Sequence, residues 1–244
     1  MPDMNPVNNC PPIDFGAMTL IGHLQELRKR VLISIIVFGI TSSISYLYSG
    51  NLIQLLISSV SKVYFMNPAE AFFAYLKVSA FCGFILALPV ILQQTWSFIR
   101  PALTQQERKI FRRLLPASYI LFLAGIAFSY YLVLPAGIKF FMSFATDELQ
   151  PLFSLGQYLS FVISFLLPFG CIFEIPLFII GLAHWRFIDS RFLAKKRKII
   201  FVLAFIIGAI ISPTPDIFSQ IMVAIPIIIL YEVSLYIVKY GLHK

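Results

Sequence analysis

The sequence predicts an all-α integral membrane protein of six transmembrane helices, and three observations predict it. Hydrophobic residues make up 59% of the chain and charged residues only 12%, where a soluble domain carries about 25% charge. The apolar residues gather in long runs along nearly the whole length, which leaves no room for a separate soluble domain. Lys and Arg fall in clusters between those runs and alternate in density from one connection to the next.

Residues 1–18 are rich in Pro and Asn and are expected to form a flexible leader, with a single membrane domain over 19–244. The first 30 residues carry Asp3, Asp14, Glu26 and four prolines without a long apolar core, a pattern unlike a signal peptide, so the first span is expected to stay in the mature protein. Leu20, Leu24, Leu27 and Val31 recur at helical spacing and leave His23, Glu26 and Arg30 on another face, an amphipathic helix leading into the membrane. As a plain surface helix it would need only a Glu26–Arg30 pair at i,i+4, worth about 0.2–0.5 kcal/mol.

Span one is expected over about 31–48, where roughly 20 apolar residues at about 1.5 Å each suffice to cross. Residues 51–72 are mixed and read as a long loop with amphipathic helical pieces against the bilayer surface. Span two is expected over about 72–96, with Pro89 as a kink, and span three over about 114–134, carrying Pro116 and ending near Pro135. Span four, about 153–184, holds Pro168 and Pro176 around Glu174 and is long enough to tilt. A basic loop is expected over 186–198. Span five, 199–211, reaches only about 20 Å as a helix, short of a hydrocarbon core of about 30 Å. Ser212-Pro213-Thr214-Pro215-Asp216 turns the chain, and span six returns over about 217–238 with Pro226 and Glu232 inside it.

Sixteen of the nineteen Lys and Arg residues lie at the termini and in the second and fourth connections, against Lys62 and Lys139 on the other side. The positive-inside rule therefore places both termini and the 98–113 loop in the cytoplasm. The same rule accounts for the net charge of +8 without nucleic acid. Cys10, Cys82 and Cys171 are too dispersed for a disulfide framework or a zinc site, and His23, His184 and His243 too scattered to share a metal. Without H-E-x-x-H, G-x-S-x-G or a Walker A loop, neither an enzyme nor a cofactor is expected.

Two places carry chemistry. Glu107 is the one carboxylate between Glu70 and Asp147 and stands among Arg100, Arg108, Lys109, Arg112 and Arg113. It is a binding site, a local salt-bridge partner of those basic residues, or the Glu of a Thr104-Gln105-Gln106-Glu107 capping box. Glu174 sits between Phe173 and Ile175 inside an apolar run, where a charge costs about 2.5–3.5 kcal/mol on insertion scales, so it faces a partner, a watered cavity or a buried hydrogen bond. Glu232 and Lys77 lie nearer span ends, where snorkelling or pairing satisfies them. A small proton-coupled transporter with Glu174 as relay is the competing reading, though the paired repeats it would favour are absent.

Four separated stretches resemble the TatC family, the six-span receptor subunit of the twin-arginine protein translocase. They are His23-Leu24-Gln25-Glu26-Leu27-Arg28-Lys29-Arg30, Phe98-Ile99-Arg100-Pro101-Ala102-Leu103 with Glu107-Arg108, Phe173-Glu174-Ile175-Pro176, and the stretch from Ser212 through Pro215, Asp216 and Gln220. The resemblance implies a curved, concave helix wall in the inner membrane, with Glu174 projecting into its hollow. It implies that Glu26 and Glu107, with Phe98, Arg28, Pro101, Leu103 and Arg108 around them, receive the paired arginines of a folded cargo's signal peptide. Glu174 and Glu232 are then intramembrane polar or partner positions, and Pro215, Asp216 and Gln220 form the outer turn. Single-span TatA- and TatB-type subunits docking beside spans five and six, several copies per complex and coupling to the proton-motive force are implied in the same way.

Overall fold

The computed structural model describes residues 20–58, 60, 63–102, 104–146, 152–184, 188–212, 214 and 216–241. Nine α-helices are formed among them: α1 Leu20–Leu47, α2 Ser49–Ile57, α3 Pro68–Ile99, α4 Gln105–Phe128, α5 Leu134–Met142, α6 Leu155–Ile172, α7 Ile175–His184, α8 Ser190–Ile211 and α9 Ile217–Gly241. The all-α expectation holds, with one small addition. Two-residue strands, β1 Val63–Tyr64 and β2 Phe153–Ser154, pair in parallel, with Val63 opposite Phe153, and tie two connections together.

The helices run past the apolar stretches that announced them. The amphipathic stretch before span one is continuous with it in α1; of the long loop with helical pieces expected over 51–72, α2 supplies one such piece, and α3 takes over from Pro68, earlier than expected. Asn67 starts α3 by accepting from the Ala69 N–H at 3.2 Å, and Pro68 follows where no N–H is needed. The third run does not end near Pro135. Five residues, Ser129–Val133, widen into π-helix, and α5 then continues to Met142 with Pro135 in its first turn. The wider turn carries the chain past a residue that lacks an N–H and crowds the preceding carbonyl. The fourth run is interrupted at Phe173–Glu174, because Pro176 cannot donate to the carbonyl of Ile172, where α6 stops.

The expected basic loop over 186–198 is likewise corrected, since α8 begins at Ser190 and carries Lys195, Lys196, Arg197 and Lys198 in helical conformation. Ala, Leu, Lys and Arg are strong helix formers, and the charge of the Lys and Arg disfavours hydrocarbon without disfavouring helix. Five stretches among the described residues are long and apolar enough to cross a membrane: Gly22–Leu47, Pro68–Ile99, Leu114–Met142, Leu155–His184 and Ile217–Tyr240. The expected fifth of six spans, 199–211, is the apolar end of α8.

Packing is pairwise: α1 lies along α3, α4 along α6, and α9 along both α8 and α7. Ile53, Val78, Leu134, Leu159 and Val162 form one core between α2, α3, α5 and α6, while Phe165, Phe169, Ala204 and Val223 form the next. The outside stays apolar, with Leu47 at 79% and Ile210 at 77% exposure, which is the surface of a multi-pass membrane protein.

Helix association in lipid rests on close packing, and glycines at the crossings allow it here, Gly83 and Gly208 among them. At Gly83 a Cβ would run into the backbone of Ser42 on α1; without one, Thr41 Oγ1 donates to the Gly83 carbonyl at 2.8 Å. At Gly208 a Cβ would stand 2.8 Å from the Gln220 carbonyl oxygen on α9. Gly208→Ala is expected to destabilise the protein by about 1–3 kcal/mol through overpacking. Gly39→Ala, at a helical position with open space around it, should be neutral or stabilising. Thermal unfolding of both variants in one detergent checks the contrast.

Candidate functional site

The site is built where α1 begins, α3 ends and α4 begins. α1 lies antiparallel to α3, so His23 stacks on Phe98 with ring centroids 4.2 Å apart and planes at 17°. One turn along, Arg30 Nη2 donates to Glu26 Oε1 at 3.2 Å and Nη1 donates to Gln94 Oε1 at 2.9 Å. Glu26 retains 19% of its side-chain surface and Arg30 31%, so this pair is better sheltered than an ordinary surface pair. Glu26 Oε2 and Arg30 Nε are both buried without a partner among the described residues. A groove of about 380 Å³ runs from Arg30 and Gln94 between the two helices, walled by Leu27, Val31, Ile35 and Phe38.

α3 leaves through a single 3-10 turn, Arg100–Ala102, in which Pro101 is exposed. The Arg108 N–H donates to the Thr104 carbonyl at 3.0 Å, which puts Glu107 in the first turn of α4. Arg28 is exposed on α1 and Arg108 half-buried. Leu103, Pro215 and the side chain of Glu107 lie outside the described residues, and with Glu107 the capping-box alternative.

Glu174 stands in the break between α6 and α7. Its carbonyl accepts from the Phe178 N–H at 3.0 Å, and its N–H donates to Cys171 at 3.1 Å, so the interruption leaves its backbone satisfied. The carboxylate accepts from Ser118 Oγ of α4 at 2.8 Å and lines a cavity of about 480 Å³ with Thr95, Trp96, Leu115 and Phe178. Glu232 is paired rather than snorkelling: Arg197 Nη2 of α8 donates to it at 2.7 Å. At the opposite end Asp216 caps α9, accepting from the Ser219 N–H at 2.7 Å and from Ser219 Oγ at 2.9 Å, while Gln220 Nε2 donates to the Phe205 carbonyl at 2.9 Å. Burial raises the Asp216 pKa, but the hydrogen bonds from Thr214 and Ser219 outweigh it and hold the carboxyl below its ordinary value.

A family model for the Sec-independent protein translocase protein TatC matches residues 22–226. The chain is 41% identical to the Sec-independent protein translocase protein TatC of Carboxydothermus hydrogenoformans, over 91% of this chain and 93% of that one. The chain belongs to the TatC family. Similarity to the Aquifex aeolicus TatC is 39% identity over 93% of this chain and 97% of the relative. The crystal structure of the twin-arginine translocase receptor TatC in DDM superimposes with a TM-score of 0.79 at 38% identity, covering 89% of this chain and 99% of that one.

Within this TatC-family chain the structure brings Glu26 and Phe98 to one end, with the Pro101 turn closing the same helix, and puts Glu174 and Asp216 elsewhere. Sequence reasoning missed Gln94, Ser118 and Arg197 as the partners of Arg30, Glu174 and Glu232. Gln94 was visible as an amide inside an apolar run, but only antiparallel packing of α1 on α3 gives it a partner. It also missed Glu70 at the start of α3, which accepts from the Met66 N–H at 2.9 Å, the Gly156 N–H at 2.7 Å and Ser154 Oγ, joining α3 to α6.

Two outcomes follow from these contacts. Glu174→Gln keeps an oxygen for Ser118 and should preserve export and folding, whereas Ser118→Ala should cost about 0.6 kcal/mol, the average for a hydrogen bond between membrane helices; export assays and unfolding of both variants check this. Asp216→Ala removes a helix cap and should cost about 0.5–2 kcal/mol. Because the folded pKa of Asp216 is depressed, its contribution is present above the unfolded value and lost as the pH falls through the folded one. Unfolding at pH 7 and at pH 3 should therefore show a smaller difference between wild type and Asp216→Ala at the lower pH.

Proposed function

We propose that this chain is the twin-arginine signal-peptide receptor and core subunit of a translocase that exports folded proteins, driven by the proton-motive force. The single observation that carries the reading is a half-buried carboxylate, Glu26, held by Arg30 one turn from the His23–Phe98 stack, at the end of the molecule where α4 begins and Glu107 stands in its first turn. Two acids there suit two adjacent guanidinium groups, which pair bidentately with carboxylate where lysine makes one point contact. The groove leading away from Arg30 and Gln94 is apolar, as the stretch that follows the positive region of a signal peptide requires.

In this reading Arg28, Pro101, Leu103 and Arg108 complete the receptor surface, and both termini face the cytoplasm of a cell bounded by the inner membrane. The crossing that completes the six, fifth in chain order, is α8, whose apolar end of about 20 Å would thin the bilayer against a curved, concave wall. Single-span TatA- and TatB-type subunits, in a complex with several copies of this chain, dock beside α8 and α9. The relay reading of Glu174 is less well supported, since its contact with Ser118 needs an acceptor oxygen and no exchangeable proton.

Glu107→Gln is expected to weaken a twin-arginine peptide about tenfold to a hundredfold while leaving membrane insertion unchanged, the loss of one charge-assisted hydrogen-bonded contact. Photo-crosslinking from positions 26 and 107 to peptides bearing Arg-Arg or Lys-Lys provides the measurement. Equal labelling by both peptides, with unchanged affinity in the Gln variant, would reject the receptor assignment.

A further inference from the structure

Resting on the receptor reading, we infer that Arg30 is a built-in competitor for Glu26, and that displacing it is the step that selects a paired-arginine ligand over a lysine one. Arg30 already presents a guanidinium to the carboxylate the ligand needs, through one N–H to Oε1 at 3.2 Å. That contact is incomplete: Glu26 Oε2 is buried with no partner among the described residues, so the carboxylate has a second acceptor unused. An incoming guanidinium can engage both oxygens as a fork, whereas an ammonium offers the geometry of a point charge. Only the fork replaces one contact with two.

Gln94 makes the exchange reversible. Arg30 Nη1 donates to Gln94 Oε1 at 2.9 Å, so when Nη2 gives up Glu26 the displaced side chain keeps an anchor on α3. His23 stacked on Phe98 holds the two helices together one turn away, so the exchange needs side-chain motion and no separation of α1 from α3. A lysine ligand meets the same competitor and has no second bond with which to outbid it.

The test measures Kd for Arg-Arg and Lys-Lys signal peptides on the full chain in nanodiscs. Arg30→Gln removes the competitor and should tighten the Lys-Lys peptide about two- to fivefold, the range of a partly exposed ion pair, with a smaller gain for Arg-Arg. Arg30→Lys keeps the charge but loses the fork, and should fall between wild type and Arg30→Gln; if it matches wild type, bulk repulsion explains the effect and the competitor is rejected. Gln94→Glu draws Arg30 toward α3 and should move the ratio of the two affinities in the same direction as Arg30→Gln. Weaker binding of both peptides to Arg30→Gln, or an unchanged ratio, overturns the inference. Glu26→Gln separates the two failures: if it leaves the Arg-Arg affinity intact the receptor reading falls, and if it abolishes binding while the Arg30 variants leave the ratio unmoved only the competitor falls.

Discussion

In hydrocarbon no water is available to a free N–H or C=O, and the placement of each helix interruption in this chain follows from that constraint. The break at Phe173–Glu174 keeps its bonds to Cys171 and Phe178, and the carboxylate it exposes is met by Ser118 from the neighbouring helix. At Pro135 the chain changes to π-helix instead of breaking, and the Leu134 N–H reaches back to the Ser129 carbonyl. Pro89, Pro116, Pro168 and Pro226 remain inside their helices, as membrane helices tolerate when neighbours and local adjustments take up the freed groups.

The same constraint divides the molecule into two ends of different character. At one end, strand pairing and the three bonds received by Glu70 lock connections to helix starts, and Asp216 caps α9. At the other, polar side chains are paired, Arg30 with Glu26 within α1 and with Gln94 across to α3, and Arg197 with Glu232 across to α9, while backbone leaves through an exposed turn at Pro101.

The paired helices also explain why small residues matter more than large ones. Lipid tails are as apolar as leucine side chains, so burial alone does little to choose one helix partner over another. Gly83 and Gly208 allow backbones to approach until Thr41 and Gln220 bond across the crossing or beside it, and those contacts select the α1–α3 and α8–α9 pairs. The buried aromatic cluster around Phe165 and Phe169 then fills the space between pairs.

By itself the sequence determined the helical membrane class, the positions of the prolines and the isolated carboxylates, because composition and hydropathy act on each residue one at a time. The four motifs were legible for the same reason, and they led to the TatC family. Helix ends were not: charge kept 190–198 out of the apolar count without keeping it out of α8, and a proline at 135 that reads as a stop was absorbed by a π-turn. Nor were the partners of the polar groups. Glu26 and Arg30 are four residues apart and their pairing was foreseeable, but Gln94, Ser118 and Arg197 reach Arg30, Glu174 and Glu232 from helices distant in the chain. Only tertiary packing decides such contacts, since they depend on which helix faces meet and at what height.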